Sequence, residues 1–455
     1  MSALREIPEI QGLDTCPGLV RIPPELDVPL TPRVRRLIDT APFRRLARIG
    51  QLGLVSLVYP AANHTRFEHS LGVYRMALLY LRRLSYDSRF AQTIDPSDAE
   101  ALIAAALLHD IGHWPFCHPI EDMRLPEVPE HEVYARRFIL GSEIADVLRT
   151  HWRLDPERVA SLLTEGQPDD ASRVLRSLLS SPIDIDKMDY LARDSLHAGA
   201  PYGRNFDQQR LIGSLCLNQA GDGLAITDKG RTAAEMMVFA RYVMFSEVYW
   251  HHTVRAATAM LQRAFFRVYR EVAQDSLFHL TEEPFVDKLR NCGDSIAREL
   301  LDALFGPTRR IYKRWAQYTY FQHREIYQKL ARRPFPWLVA CAEEFAQLVS
   351  KRVSQTIAPH EILIDAPPVQ REVQFHVDVY FPSDGCYHPL GDISPVVHTL
   401  ATKQFDDYVK RVRVFVHPRL VDEVRQLKDR DSLLLQAVAN VEQSTLAAMP
   451  PHRPS

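Results

Sequence analysis

The feature that most constrains the fold is an apolar run that ends in a histidine–aspartate pair. Residues 99 to 112 read AEALIAAALLHDIG, and nearly every position before His109 is apolar. A helix that is apolar on all sides is stable only inside a protein, so we predict a buried helix here. It should stop near Gly112, because glycine favours helix ends. The run is far too short to cross a bilayer.

The surrounding pattern predicts a mainly α fold. From about residue 70 to 345, apolar side chains recur mostly at three- and four-residue intervals. Residues 17 to 30 are predicted to be irregular or a short β segment. Thr31 and Pro32 are typical of a helix start, and that helix is expected to continue towards Gly50. Residues 235 to 270 read as one very long helix.

The pattern changes after about residue 350. Three segments, ILID, VQFHVDVYF and RVRVFV, are typical of strands. Helical patterns resume from 418 to 448, and the tail MPPHRPS is expected to be loose. We therefore predict a large helical domain over residues 1–345 and a smaller C-terminal α+β unit over 346–455.

Composition narrows the class of protein. The 455 residues include 55 Lys and Arg against 57 Asp and Glu, for a net charge of -2. Without a broad positive field, nucleic-acid binding is not favoured, and an anionic ligand would need a local cluster of cations. The six cysteines show no paired spacing, which is typical of reduced thiols. The N-terminus has no apolar signal region. We expect a cytoplasmic protein with no membrane association.

The segment HDIGHWPFCH, residues 109 to 118, has the chemistry of a metal site. It places His109, Asp110, His113 and His118 at and just beyond the end of the buried helix. Buried ionisable groups are costly unless they are paired or bind a metal. Imidazole and carboxylate groups together suit Mn, Fe, Zn or Mg. The alternative is a helix end with polar residues in water, but the density of histidines favours a site.

Two other segments have the same mixture of residues. In HTRFEHSLGV, His69 starts another apolar helix. The stretch DIDKMDYLARDS is rich in carboxylates, and Asp189 and Arg193 in it are spaced as a surface ion pair on a helix. Three further residues of this stretch would share one helix face: Asp186, Tyr190 and Asp194.

In their order, these motifs resemble those of the HD-superfamily deoxynucleoside triphosphate triphosphohydrolases. The segments QLGLVSLVYPAANHTRFEHSLGV, HDIGHWPFCH and DIDKMDYLARDS carry the resemblance, which covers roughly residues 20 to 260. It implies an HD-domain helical bundle and a homo-oligomer. It also implies a divalent metal (Mn, Mg, Fe or Zn) and hydrolysis of a nucleoside triphosphate to deoxynucleoside and tripolyphosphate. The implied metal ligands are His69, His109, Asp110 and Asp186.

The resemblance also implies roles for residues around the metal. Without the resemblance, single histidines, tyrosines and leucines would be interpreted as structural residues. Leu52 and Tyr249 would then be assigned to the hydrophobic core. His64 is read as a supporting residue. The implied catalytic residues are His113, His118, Glu121 and His131. The implied substrate-binding residues are Gln51, Leu52, Arg66, Lys187, Tyr190, Asp194, Arg241 and Tyr249.

The sequence departs from the vertebrate members of the family at several positions. Phe245 and Trp250 replace a His and a Gln near the sugar, which leaves the base preference open. At the counterpart of the guanine-nucleotide activator site Asp39 is kept, but Arg44 and Ala47 replace a Gln and an Arg, so the same control is not expected. Two alternatives stay open: another HD hydrolase, acting on ribonucleotides or phosphodiesters, and a non-catalytic nucleotide-binding regulator.

Overall fold

The computed structural model describes residues 3–16, 18–164, 168–272, 274–353, 355–369, 376–400 and 407–447. Helices dominate these residues. The α-helices are α1 Pro8–Thr15, α2 Pro32–Ile38, α3 Ala41–Arg45, α4 Arg66–Leu84, α5 Ser88–Thr93, α6 Pro96–Leu108, α7 Cys117–Glu121, α8 His131–Leu140, α9 Ser142–Val147, α10 Pro156–Leu163, α11 Asp170–Leu179, α12 Ile185–His197, α13 Gln208–Gly213, α14 Arg231–Met244, α15 His252–Val268, α16 Gln274–Leu277, α17 Glu282–Arg290, α18 Ser295–Phe305, α19 Arg324–Leu330, α20 Phe335–Val353, α21 Leu390–Ile393, α22 Pro395–Thr399, α23 Val421–Arg425 and α24 Arg430–Ala447.

The strands are short. They are β1 Leu19–Ile22, β2 Leu26–Pro29, β3 Leu215–Leu217, β4 Leu224–Thr227, β5 Lys313–Tyr318, β6 Ile362–Asp365, β7 Asp378–Phe381, β8 Cys386–Pro389 and β9 Val412–Val416. The fold is therefore mainly α with a smaller α+β region towards the C-terminus, as the sequence predicts.

Helix α6 lies at the centre of the molecule. It begins at Pro96, where the Asp95 side chain accepts a hydrogen bond from the Asp98 N–H. Its apolar residues from Ala101 to Leu108 are all buried. Helix α4 packs against it, and α12 packs against α4. The predicted buried helix is confirmed, and it ends at Leu108, directly before the histidine–aspartate pair.

The helix predicted from Thr31 towards Gly50 is wrong as a single element. The start is confirmed, because the Thr31 side chain caps α2. That helix stops at Ile38, and α3 begins after the extended residue Thr40. The break has a local cause, since Pro42 has no N–H to continue the hydrogen-bond ladder.

The long helix predicted over residues 235 to 270 is also interrupted. Helix α14 ends at Met244, a π-helical turn covers Phe245–Tyr249, and α15 begins after His251, whose ring accepts from the Thr253 N–H. In a π-helical turn the hydrogen bonds join residues five apart instead of four, and such turns are common at functional sites. Periodicity alone did not show this break, because both halves carry the same apolar spacing.

The strands form three sheets. β1 and β2 pair as an antiparallel hairpin, in agreement with the β segment predicted near residues 17 to 30. The second sheet has the order β3-β4-β7-β8 and the third β5-β9-β6. The strands predicted after residue 350 are confirmed as β6, β7 and β9, although residues 373–375 lie outside the described part. The sequence analysis missed β3, β4, β5 and β8, because strands of three to six residues show too little periodicity to be recognised.

The predicted division at residues 345 and 346 stays a prediction. Helix α20 runs through this point, and two sheets combine strands from both sides of it. Helices resume after β9 as α23 and α24, as predicted. The predicted loose tail, residues 449–455, lies outside the described residues.

The central position of α6 gives a stability prediction. Leu102 is fully buried on this helix, so Leu102→Ala should lower the free energy of unfolding by about 2–5 kcal/mol through lost burial and the cavity left behind. Urea unfolding followed by circular dichroism measures the change. Leu19→Ala is the matched control, because Leu19 is 50% exposed and should change little. Equal losses in both variants would contradict the central role of α6.

Candidate metal and nucleotide site

Three helix ends bring the predicted metal ligands together. Thr65 caps α4 by accepting from the Glu68 N–H, so His69 lies in the first turn of that helix. The histidine–aspartate pair directly follows the last residue of α6. Asp186 lies in the first turn of α12, which the Asp184 side chain caps. Each ligand is thus held at a helix end, where the backbone fixes its direction.

The four side chains meet around the Nε2 atom of His69. Asp186 Oδ1 lies 3.0 Å from it, His109 Nε2 3.2 Å, and Asp110 Oδ2 4.0 Å. His109 Nε2 is in turn 3.4 Å from Asp110 Oδ1 and 3.9 Å from Asp186 Oδ1. His69 and Asp110 are buried, while Asp186 is partly exposed at the open side.

The hydrogen bonds of the two imidazoles favour a cation between them. His69 Nδ1 faces Asp189 Oδ2 at 2.9 Å, and His109 Nδ1 faces the Ala106 carbonyl at 2.9 Å. Both partners only accept, so in the neutral rings each Nδ1 carries the proton and each Nε2 has a lone pair. Two lone pairs then point at each other beside two carboxylates. This donor set fits a divalent metal ion.

Electrostatics point the same way. Burial opposes charge on His69, yet hydrogen bonds to Asp186 and Asp189 raise the pKa of its imidazole to about 10. The site thus attracts positive charge at Nε2, and a bound divalent cation would take the place of that proton. Burial likewise acts against ionised Asp110, but His113 and Arg66 hold its pKa well below the usual range. The carboxylates therefore stay ionised and create a negative field that attracts positive charge.

Asp189 is not on the surface, and the prediction of a surface ion pair is wrong about its location. The pair with Arg193 does form, at 2.7 Å, but both side chains are buried. Asp189 also orients the His69 ring, as described above. Sequence reasoning weighed only the i, i+4 spacing, which contains no information about burial.

Sequence reasoning also missed the residues behind this pair. Glu68 Oε1 accepts from Arg193 at 2.6 Å and lies 2.9 Å from His197 Nε2. Glu68 lies inside the motif HTRFEH, directly before His69 in the chain. This position is the feature of the sequence that could have identified Glu68 as part of the site. The network fixes the carboxylate that holds His69.

The predicted catalytic residues form a second cluster next to the first. His113 Nδ1 lies 3.0 Å from Asp110 Oδ1, and its Nε2 is 3.3 Å from His118 Nε2. Glu121 lies 3.1 Å from His131 Nδ1 and 3.8 Å from His118 Nδ1. The His118 side chain is 62% exposed, whereas His113 is buried. His118 is therefore the member of this cluster that faces solvent.

The Glu121–His131 pair is strongly polarised. Burial opposes charge on both groups, but their hydrogen bond lowers the pKa of Glu121 to about 2 and raises the pKa of His131. The hydrogen bond thus favours the ionised form of both groups. It fixes α7, which carries both His118 and Glu121, against the start of α8.

Two cationic side chains and a tyrosine lie near the candidate metal ligands. Arg66 Nη1 donates to Asp110 Oδ2 at 2.8 Å, and Lys187 Nζ donates to Asp184 Oδ2 at 2.6 Å. Burial raises the pKa of Tyr190 to about 12, although Arg241 and Lys187 act to lower it. Arg241 and Lys187 are therefore both close enough to act on the Tyr190 phenol.

Two of the predicted substrate-binding residues, Asp194 and Tyr249, are in contact with each other. Tyr249 donates its hydroxyl to Asp194 Oδ2 at 2.6 Å, and His64 Nε2 lies 2.9 Å from Asp194 Oδ1. The π turn after α14 carries Tyr249 to this position. Leu52 is partly buried, and Gln51 Oε1 is buried without a hydrogen-bond partner among the described residues. An unused buried acceptor is suited to a hydroxyl donor from a ligand.

Among the described residues, none of the helices combines the length and the apolar character that a membrane crossing requires. The cytoplasmic location predicted from the sequence stays a prediction.

Two protein families match the chain. The HD domain matches residues 66–194, and the family described as HD associated region matches residues 206–443. All the metal and catalytic candidates lie in the first match. Arg241 and Tyr249 lie in the second.

Related proteins extend these matches. An uncharacterised protein of Methanocaldococcus jannaschii is 30% identical over 416 residues, which cover 90% of this chain and 82% of that protein. YwfO of Bacillus subtilis is 38% identical over 233 residues, 51% of each chain. The Homo sapiens deoxynucleoside triphosphate triphosphohydrolase SAMHD1 is 30% identical over 271 residues. These cover 53% of this chain but only 43% of that enzyme.

Solved structures share the fold. A hypothetical protein from Aquifex aeolicus superposes with a TM-score of 0.68 at 26% identity, covering 90% of this chain and 98% of its own. A phosphohydrolase from Bacteroides thetaiotaomicron gives a TM-score of 0.66 at 22% identity, covering 88% and 100%. The second likeness shows the fold alone.

The support given by Asp189 to His69 leads to a metal-binding prediction. Asp189→Asn keeps an acceptor but removes the charge, so divalent-metal affinity should fall about 10–100-fold. Titration of the chelator-treated protein with Mn²⁺, read by calorimetry and by the shift in melting temperature, measures the affinity. Asp170→Asn is the control, since Asp170 is exposed on α11. Unchanged affinity in Asp189→Asn would show that the His69–Asp189 contact does not support metal binding.

Proposed function

Because the chain belongs to the family of HD-domain proteins with an HD-associated region, we propose that it is a metal-dependent phosphohydrolase of deoxynucleoside triphosphates. The observation that carries the proposal is the meeting of His69, His109, Asp110 and Asp186 within 4.0 Å of one imidazole nitrogen. The likeness to the deoxynucleoside triphosphate triphosphohydrolase supports the substrate class.

His69, His109, Asp110 and Asp186 would hold the metal. A divalent ion in such a site polarises a phosphoryl oxygen and lowers the pKa of bound water. The chain's own residues supply the rest of the charge and the proton movements. Arg66 and Lys187 each keep further N–H donors beyond their carboxylate partners, so both can bind phosphate oxygens. Arg241 adds a third positive charge near Tyr190.

The proposed reaction adds water to the α-phosphorus and releases a deoxynucleoside and intact tripolyphosphate. The leaving sugar oxygen needs a proton. His118 and Glu121 are the candidates to transfer this proton, because the His118 side chain is exposed and lies 3.8 Å from Glu121. His113 Nε2 lies 3.3 Å from His118 Nε2, and His131 pairs with Glu121 beside it. Assembly as a homo-oligomer remains a prediction.

The sugar pocket supports a preference for deoxy substrates. Gln51 Oε1 offers an acceptor to a 3′-hydroxyl in the proposed pocket. The Asp194–Tyr249 pair offers further polar groups for the sugar. Leu52 offers an apolar surface that cannot pair with a 2′-hydroxyl. Such a surface disfavours an added hydroxyl by roughly 100-fold and does not exclude it.

Product analysis tests the reaction. Purified protein is incubated with each dNTP and NTP in Mn²⁺, Mg²⁺ or chelator, and the products are separated by ion-exchange chromatography. We expect deoxynucleoside and tripolyphosphate in equal amounts, and none with chelator. Asp186→Asn should lose at least about a hundredfold in kcat/KM because it removes a charged metal ligand. Asp170→Asn, a matched exposed position, should keep wild-type activity. Release of only orthophosphate or pyrophosphate would refute the cleavage site.

The role of Leu52 in sugar selection gives a second test. Leu52→Ala opens space beside the sugar, so the ratio of kcat/KM for a dNTP over its matching NTP should fall about tenfold or more. The reaction products of both substrates should stay the same. Leu57→Ala is a control at a partly exposed leucine of the same turn. An unchanged ratio in Leu52→Ala would mean that another residue faces the 2′ position.

A further inference from the structure

The loop that carries Gln51 and Leu52 is held from two sides. On one side, Gly50 pairs with Thr65 in an isolated antiparallel bridge. The Gln51 N–H donates to the His64 carbonyl at 3.0 Å, and the Arg66 N–H donates to the Ile49 carbonyl at 3.0 Å. This bridge ties the loop to the segment that leads into α4 and His69.

On the other side of the loop, a single carboxylate accepts a backbone hydrogen bond. In an antiparallel pair, alternate residues point their N–H groups away from the partner strand. The Gly50 N–H is such a group, and it donates to Glu282 Oε1 at 2.7 Å. Glu282 is the first residue of α17, 232 positions away in the HD-associated region. The carboxylate takes the place that a third strand would occupy.

The contact between Glu282 and Gly50 is close and depends on the glycine. A Cβ atom at Gly50 would lie 3.0 Å from Glu282 Oε1, so glycine lets the carboxylate approach the backbone. Burial raises the pKa of Glu282, although the Gly50 N–H and Arg66 act to lower it. A carboxylate in such surroundings is costly unless it is hydrogen-bonded, and the Gly50 amide supplies that bond.

The same helix also reaches the catalytic cluster. Phe285, one turn after Glu282, packs against Phe116 with ring centroids 6.1 Å apart. Phe116 adopts a left-handed conformation directly before α7, which carries His118 and Glu121. Gly53, with φ of 49°, passes close enough that a Cβ would lie 3.2 Å from the Phe116 ring. Helix α17 thus touches both the loop of Leu52 and the turn that positions His118.

We infer that Glu282 is a positioning residue that sets sugar selectivity by holding the Gln51–Leu52 loop against the pocket. The inference rests on the proposed function for its substrate. Displacement of a binding group by about 1 Å can cost roughly a hundredfold in rate, so a small shift of this loop is enough to change selectivity. The HD-associated region therefore acts on the site without touching the metal.

Three variants test the inference. Glu282→Ala removes the acceptor, Glu282→Gln keeps an oxygen in the same place, and Glu283→Ala is the matched control at the neighbouring exposed acid of the same helix turn. The first readout is the ratio of kcat/KM for a dNTP over its matching NTP. We expect it to fall about fivefold or more in Glu282→Ala, within the range that pocket contacts supply. It should recover in Glu282→Gln and stay unchanged in Glu283→Ala.

The second readout is hydrogen exchange of peptides covering residues 46–57, which needs no substrate. Exchange should quicken in Glu282→Ala only. An unchanged ratio in Glu282→Ala, or the same fall in Glu283→Ala, overturns the inference. If the wild type hydrolyses no nucleotide, the proposed function fails and the selectivity claim fails with it. The exchange result then still decides whether Glu282 holds the loop.

Discussion

Two imidazole nitrogens that face each other at 3.2 Å, with carboxylates of Asp110 and Asp186 beside them, are the constraint on which the rest of the structure depends. His69 and His109 each direct one ring nitrogen to an acceptor, so their remaining lone pairs converge. Isolated charges and lone pairs of this kind are expensive inside a protein, and a cation relieves that cost. The buried helix α6 and the helix ends around it bring these groups together and hold them rigidly.

A chain of buried ion pairs behind His69 holds this ligand in place. Asp189 orients His69, Arg193 pairs with Asp189, and Glu68 pairs with Arg193. Buried ion pairs of this kind add little net stability, but they keep each group in a single orientation. A metal site needs that orientation more than it needs stability, since ligand direction governs affinity.

The HD-associated region reaches the candidate site at two points. The π turn after α14 brings Tyr249 to Asp194, and α17 brings Glu282 to the loop of Leu52. The candidate metal ligands thus all come from the HD match, while Tyr249 and Glu282 come from the HD-associated region. Two parts of the sequence therefore meet at the candidate site.

The sequence by itself determined the types of residue at the site and the elements that carry them. The apolar run of α6 could only be buried, His69 is predicted at the start of another apolar helix, and Asp186, Tyr190 and Asp194 are predicted on one helix face. Tertiary structure alone decided where helices break and which distant residues meet. Local spacing does not predict the contact between Asp189 and His69, which are 120 positions apart. It does not predict the contact between Glu282 and Gly50 either. Periodicity reports which side of a helix is apolar, but contacts across such separations depend on how all the helices pack together.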